Sequence, residues 1–223
     1  GREIAAMAGT RVPACAVEHQ YFVTEKTDRF PTGLPTLRDP DGNFYVKPEP
    51  GALAVGGWEK NTPPWGADGI HRDFGPELLQ PDFERFAPIA DAAAARIPAL
   101  NEVGIRQMIN GPIPITADGE PIIGLSPELD NFYLCCGFTS GIAASGGAGW
   151  VMANWIVDGD PGMDLWPFDV RRFGAPHSVK EFMYARAVES YSRYYHIAWP
   201  AYEADAGRDA RRSPLHAVLK VAG

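Results

Sequence analysis

Apolar and polar positions along this chain change period several times, and each change marks a new element. Cys15–Glu25 (CAVEHQYFVTE) is dense in β-branched and aromatic residues, which predicts a strand. Phe44–Lys47 and Ala52–Gly57 predict two more strands, separated by Pro48–Gly51, with turn chemistry at Asp39–Asn43 (DPDGN). From Glu59 to Gly75 no period holds and Gly, Pro and Trp are frequent, which predicts a long loop. Phe83, Phe86, Ile89, Ala90 and Ala93 then recur at helical spacing. They predict a helix over Gln80–Ile97, with Pro81 in its first turn and Pro98 as its stop.

Strands are expected again at Val103–Ile109, Pro121–Gly124 and Asn131–Cys136, with a turn at Thr116–Gly119. Ala143–Val157 reads as a helix that is apolar on nearly all sides, and therefore as a buried one ended by Asp158–Gly162. Ser178 can cap a further helix running to about Tyr191. An aromatic, charged segment through Trp199 and a basic stretch at Arg208–Arg212 follow, with the character of a strap between domains. Gly1–Gly9 reads as a helix end stopped by Gly9, with no capping signal before it, so the N-terminus is expected to be a truncation.

Composition narrows the function classes. The chain has 223 residues and a formal net charge of −8, which argues against nucleic acid or an anionic membrane as partner. No apolar run approaches the ~20 residues of a bilayer span, and no signal-peptide core opens the chain. The three cysteines, Cys15, Cys135 and Cys136, lack metal-ligand spacing and read as reduced core thiols. No GxSxG, Walker, HExxH or paired-cysteine zinc pattern occurs, so no metal site is expected.

Three constellations remain. Gly137, Gly141, Gly146, Gly147 and Gly149 follow a strand and open a helix, in GFTSGIAASGGAG. Such a helix start lets a flat or anionic ligand approach the backbone, where the amides and the helix dipole favour negative charge. Close helix–sheet packing through small residues explains the same glycines equally well. His19 and Tyr21 share one strand face while Gln20 takes the other. Tyr45 and Lys47 likewise share a face, where a hydroxyl and an ammonium could hold a carboxylate. A satisfied core histidine and a plain sheet-surface pair are the competing readings.

In order along the chain, VEHQYFVTE, LPTLRDPDGNFYVKPEPGALAVGGWE, NGPIPITADGEPIIG, NFYLCCGFTSGIAASGGAG and WIVDGDPGMDLWPFDVRRF together resemble the dimethylglycine and sarcosine dehydrogenase family. That family belongs to the D-amino-acid-oxidase-like flavoenzymes. The tail RAVESYSRYYHIAWPAYEADAGRDARRSPL resembles the family's strap toward a folate-binding domain. The resemblance implies an α/β (α+β) fold: a mixed, largely antiparallel sheet of a substrate domain, plus the last strand and helix of an FAD-binding Rossmann-like layer. It divides the chain into the end of the FAD-binding domain (1–14), the substrate domain (15–125), the returning strand and helix (126–160) and the strap (161–223).

The resemblance also implies FAD-dependent oxidation of an N-methylated glycine-type amine, such as dimethylglycine or sarcosine, by hydride transfer to flavin N5. Electrons would pass on to an acceptor, and tetrahydrofolate could enter through a domain outside this sequence. Carried over by position, Gly137, Phe138, Thr139, Ser140, Gly141 and Ile142 match the loop that meets the flavin, and Gly146–Gly149 are left for helix packing. His19 matches an active-site histidine and Tyr45 a tyrosine that closes the pocket. Lys47 stands where relatives often have arginine and is assigned to substrate binding. The family's GxGxxG unit and its flavin-linking histidine are not in this sequence, so the piece alone is expected to bind FAD weakly. Its expected compartment is the bacterial cytoplasm or the mitochondrial matrix. The alternatives are a non-catalytic regulatory relative, as found in phosphatase complexes, and an oxidase of another secondary or tertiary amine.

Overall fold

A computed structural model describes residues 1–197, 200–210 and 212–222. The chain divides into two compact units: Ala16–Pro114 with Ser190–Ala201, and Gly1–Cys15 with Ile115–Glu189 and Tyr202–Gly223.

The first of these is built on a six-stranded sheet. Its strands are β1 (Ala14–Thr24), β2 (Leu37–Asp39), β3 (Phe44–Glu49), β4 (Ala52–Gly57), β5 (Pro64–Trp65) and β6 (Ile105–Thr116). The order is β2-β3-β4-β1-β5, and β6 also pairs with β1. The β1–β4, β1–β5, β2–β3 and β3–β4 pairs are antiparallel. The alternation of side chains sorts each strand onto two faces. Phe22, Phe44, Val46, Leu53 and Val55 go to one face and pack on Phe86, Ile89 and Ala93 of the helix α2 (Phe83–Arg96). The opposite face carries His19, Tyr21 and Tyr45.

Helix α2 begins later than its periodicity predicts. Asp82 takes the N-cap position and accepts a hydrogen bond from the Arg85 amide, so Pro81 precedes the helix. Buried Gln20 fixes this start to the sheet: its Oε1 accepts from the Asp82 amide and its Nε2 donates to the Asp82 carbonyl. Beneath it, Glu59 (fully buried side chain) accepts from Gln20 Nε2 at 2.6 Å and from Arg85 Nε at 2.9 Å. Arg85 also reaches Glu18, and Asn110 donates to the same Glu18 carboxylate. Strand β6 runs to Thr116, well past the expected Ile109, with Pro112 and Pro114 within it, and pairs with β1.

The second unit holds α1 (Arg2–Ala8), a two-stranded antiparallel sheet of β7 (Ile122–Leu125) and β8 (Tyr133–Cys136), and α3 (Gly141–Asp158). Gly9 ends α1 in the left-handed conformation, as its position implied. Helix α4 (Lys180–Ser192) and the short α5 (His216–Ala222) follow. Ser178 lies in a single 3-10 turn before α4. The expected aromatic segment and basic stretch include Trp199 and Arg211, which lie outside the described residues. No helix among the described residues is long and apolar enough to cross a membrane.

Helix α3 corrects the expectation of burial. Ala148, Val151 and Met152 pack with Ile123 and Leu165, but Ile142 is 98% exposed, Trp150 64% and Val157 80%. A Cβ built on Gly146, Gly147 or Gly149 would meet nothing within 4 Å, so these glycines serve no packing among the described residues. All-round apolarity alone does not name a surface that would cover the helix, and among the described residues only its Ala148–Met152 side is covered.

Candidate active site

Strand register assembles the first group of functional side chains. Tyr21 on β1 and Tyr45 on β3 both stand opposite Gly56 of β4, so the three form one row on the face away from α2. Gly56 makes that row possible. A Cβ there would lie 2.2 Å from both Cζ and Oη of Tyr45, so the phenol lies directly over the glycine. This places the Tyr45 hydroxyl 3.0 Å from His19 Nε2. The other ring nitrogen, Nδ1, is 2.8 Å from the hydroxyl of Tyr191, in the last turn of α4.

Aromatic rings close around the imidazole. Trp58 lies 5.1 Å from His19 between ring centroids and Tyr191 5.8 Å, edge on. Trp58 in turn packs on Tyr194 at 4.0 Å and on Tyr195 at 5.8 Å. Burial in these surroundings lowers the His19 pKa from 6.5 to about 4, so the ring is neutral at pH 7. Burial likewise raises the Tyr45 hydroxyl, helped by the nearby Tyr195 and Tyr21, and holds the Tyr191 hydroxyl well above its ordinary value. Each phenol therefore keeps its proton. Lys47 shares the Tyr45 face but is exposed and pairs with Glu49 at 2.8 Å.

The second group lies at the start of α3. Gly137 has φ +77°, and a Cβ on it would meet Thr116 Cγ2 at 2.7 Å, so the turn needs glycine on both counts. Phe138 turns inward onto the Ile123–Met152 cluster, not out of the loop. Ser140 occupies the N-cap without a side-chain cap bond to the helix. Thr139 Oγ1 is buried and has no hydrogen-bond partner among the described residues. Gly141 carries no side chain, and Ile142 projects away from the chain.

Two family models account for most of the chain: residues 1–155 match the FAD dependent oxidoreductase model and residues 158–213 the FAD dependent oxidoreductase central domain. The chain belongs to the FAD dependent oxidoreductase family. It is 37% identical to mouse mitochondrial sarcosine dehydrogenase over 97% of its own length and 24% of the relative's. It is 36% identical to the 4-methylaminobutanoate oxidase (formaldehyde-forming) of Paenarthrobacter nicotinovorans, over 100% of this chain and 27% of that one. The chain thus spans about a quarter of the length of these relatives. Among solved structures, the L-proline dehydrogenase from P. horikoshii aligns with a TM-score of 0.61 at 25% identity, covering 76% of this chain and 43% of that one.

FAD is the family's cofactor, and the α3 start fits a part of it. A long helix presents its first-turn amides with no cap side chain upon them, beside an unpartnered buried hydroxyl and a glycine. That donor set suits the electron-rich edge of a flavin ring.

Strand faces alone pair His19 with Tyr21 and Tyr45 with Lys47; only the family resemblance names His19 and Tyr45 together, and the structure brings those two into hydrogen-bond contact. Sequence reasoning missed Tyr191 and Trp58, which approach from 172 and 39 positions away, and it missed Gly56. The signal for Gly56 was available: a Gly-Gly pair inside a strand marks a close approach of something else.

Proposed function

We propose that this chain carries the substrate-recognising sheet and the flavin-facing helix start of an FAD-dependent oxidoreductase of N-methylated amino acids, sarcosine or dimethylglycine among them. The observation that carries this reading is the Tyr45–His19–Tyr191 hydrogen-bond chain on one sheet face, in a chain 37% identical to a sarcosine dehydrogenase.

Each part has a role that its geometry supports. When bound, FAD supplies the two-electron acceptor for the hydride of the N-methyl carbon. Thr139 and the amides of Ser140, Gly141 and Ile142 hold the negative edge of its ring. Tyr45 offers a hydroxyl whose ring is fixed by Gly56 and whose oxygen is fixed by His19, so it orients the substrate without first having to order itself. His19 does not reach the amine, because both its nitrogens are engaged by tyrosines. It positions Tyr45. The amine reaches the site neutral, its proton lost to solvent.

A panel of N-methylated and unmethylated amino acids, assayed on the full-length protein with an artificial electron acceptor, tests this. The expected result is turnover of sarcosine or dimethylglycine. Tyr45→Phe should lower kcat/KM by about tenfold to a hundredfold, the worth of one hydrogen bond to a charged group. Bound flavin with no turnover of any amine would favour a non-catalytic regulator instead. Unchanged kinetics in Tyr45→Phe would remove that residue from the site.

A further inference from the structure

The geometry points to Tyr191 as the residue that sets the proton on His19 Nε2, and thereby makes the Tyr45 hydroxyl a committed donor toward an acceptor group of the substrate, such as a carboxylate. The argument is a count of donors and acceptors. Tyr191 is fully buried, so its hydroxyl proton needs a protein acceptor. The acceptor in place for its proton is His19 Nδ1, 2.8 Å away. If Nδ1 accepts, it carries no hydrogen, and a neutral imidazole then holds its single hydrogen on Nε2. Nε2–H lies 3.0 Å from Tyr45 Oη and donates to it. The Tyr45 proton is then turned away from His19.

The opposite tautomer fails the same count. With hydrogen on Nδ1, the Tyr191 oxygen would accept from it, and among the described residues the buried Tyr191 proton would be left without an acceptor. Tyr45 would at the same time donate to Nε2 and show the substrate an acceptor. Burial of the ring keeps His19 neutral, so the two tautomers are the only competing states near pH 7. Glu59 and Arg85 are the charged groups that act on Tyr191, and Tyr21 and Tyr195 act on Tyr45. Glu59 accepts from Gln20 and Arg85 through Oε1, and its buried Oε2 makes no hydrogen bond, to Tyr191 or to any other of the described residues. Tyr191 is thus a positioning residue acting through His19. Its consequence for substrate rests on the function proposed above; the place of the proton on His19 does not.

The test is nitrogen NMR of the full-length flavin-loaded protein, labelled with nitrogen-15 at histidine, the His19 signals being assigned by their loss in His19→Asn. The proposal expects the wild type to show the Nε2–H tautomer near pH 7. It expects Tyr191→Phe to shift His19 to a mixture or to Nδ1–H, with kcat/KM for sarcosine falling about tenfold. A wild type in the Nδ1–H or doubly protonated form overturns the proposal, whatever Tyr191→Phe does. So does an unchanged tautomer in a folded Tyr191→Phe protein. Should that variant fail to fold, the wild-type spectrum alone decides. A protein that shows the expected tautomers but oxidises no N-methyl amine would overturn the proposed function and leave the role of Tyr191 standing.

Discussion

Replacing Gly56 with alanine separates the position of the Tyr45 hydroxyl from the rest of the fold. Gly56 is not among the residues with positive φ, so the backbone accepts alanine there. Reducing the freedom of the unfolded chain would stabilise by about 0.4–1 kcal/mol. The collision falls on one group: the new Cβ would sit 2.2 Å from Tyr45 Cζ and Oη. A carbon contact needs roughly 3.5 Å, so the tip of the phenol must retreat by about 1.3 Å. That exceeds the tolerance of its 3.0 Å bond to His19, whose loss costs about 1 kcal/mol of stability. The two stability effects nearly cancel, and the melting temperature should stay within a few degrees. Activity should not stay. A displacement of 1 Å in a positioning group costs about a hundredfold, near 2.7 kcal/mol of barrier. The assay is kcat/KM for sarcosine in the full-length protein, beside calorimetric melting. Gly56→Ala should lose about two orders of magnitude with its fold intact, and should lose nothing further in a Tyr45→Ala background. A Gly56→Ala protein as active as the wild type would refute the claim that this glycine seats the catalytic tyrosine.

Other outcomes follow from the same structure. His19 is held neutral to about pH 4, whereas an unfolded histidine protonates near 6.5; stability conferred by the neutral ring is therefore full above 6.5 and lost as pH falls toward 4. The loss amounts to about 3 kcal/mol, and denaturant titrations across that window should show it in the wild type and not in His19→Gln. Arg85→Leu leaves the Glu59 carboxylate buried without its cation and should destabilise by about 3–5 kcal/mol in urea unfolding, whereas Lys47→Ala, which breaks an exposed, solvent-screened pair, should leave the unfolding midpoint nearly unchanged. Gly137→Ala combines a left-handed backbone with a 2.7 Å approach to Thr116 and should cost about 1–3 kcal/mol and weaken flavin retention, read by the absorbance of the purified protein.

The parts of this molecule that local chemistry decides could be read from its sequence. Dense β-branched and aromatic residues mark β1, the Pro48–Gly51 break separates β3 from β4, and strand alternation puts His19 and Tyr45 on candidate faces. What escaped was what distance decides. Strands β2 and β5, three and two residues long, are too short to carry a period and exist because β3 and β1 pair with them. The start of α2 was misplaced because Pro81 fits a first turn as well as it fits the segment before an Asp82 cap. Burial of α3 was misjudged because hydropathy cannot name a partner. Tyr191 was legible only as the end of a helix. Its contact with His19 joins positions 172 residues apart, and no local period reports such a contact.

The most direct test of the central claim is anaerobic mixing of the full-length flavin-loaded protein with sarcosine or dimethylglycine, following the oxidised flavin absorbance. The account predicts complete bleaching in one turnover, with formaldehyde or its folate adduct as product, and bleaching slowed about tenfold to a hundredfold in Tyr45→Phe. A flavin that stays oxidised with every N-methyl amine, or one that bleaches equally fast without the Tyr45 hydroxyl, would contradict it.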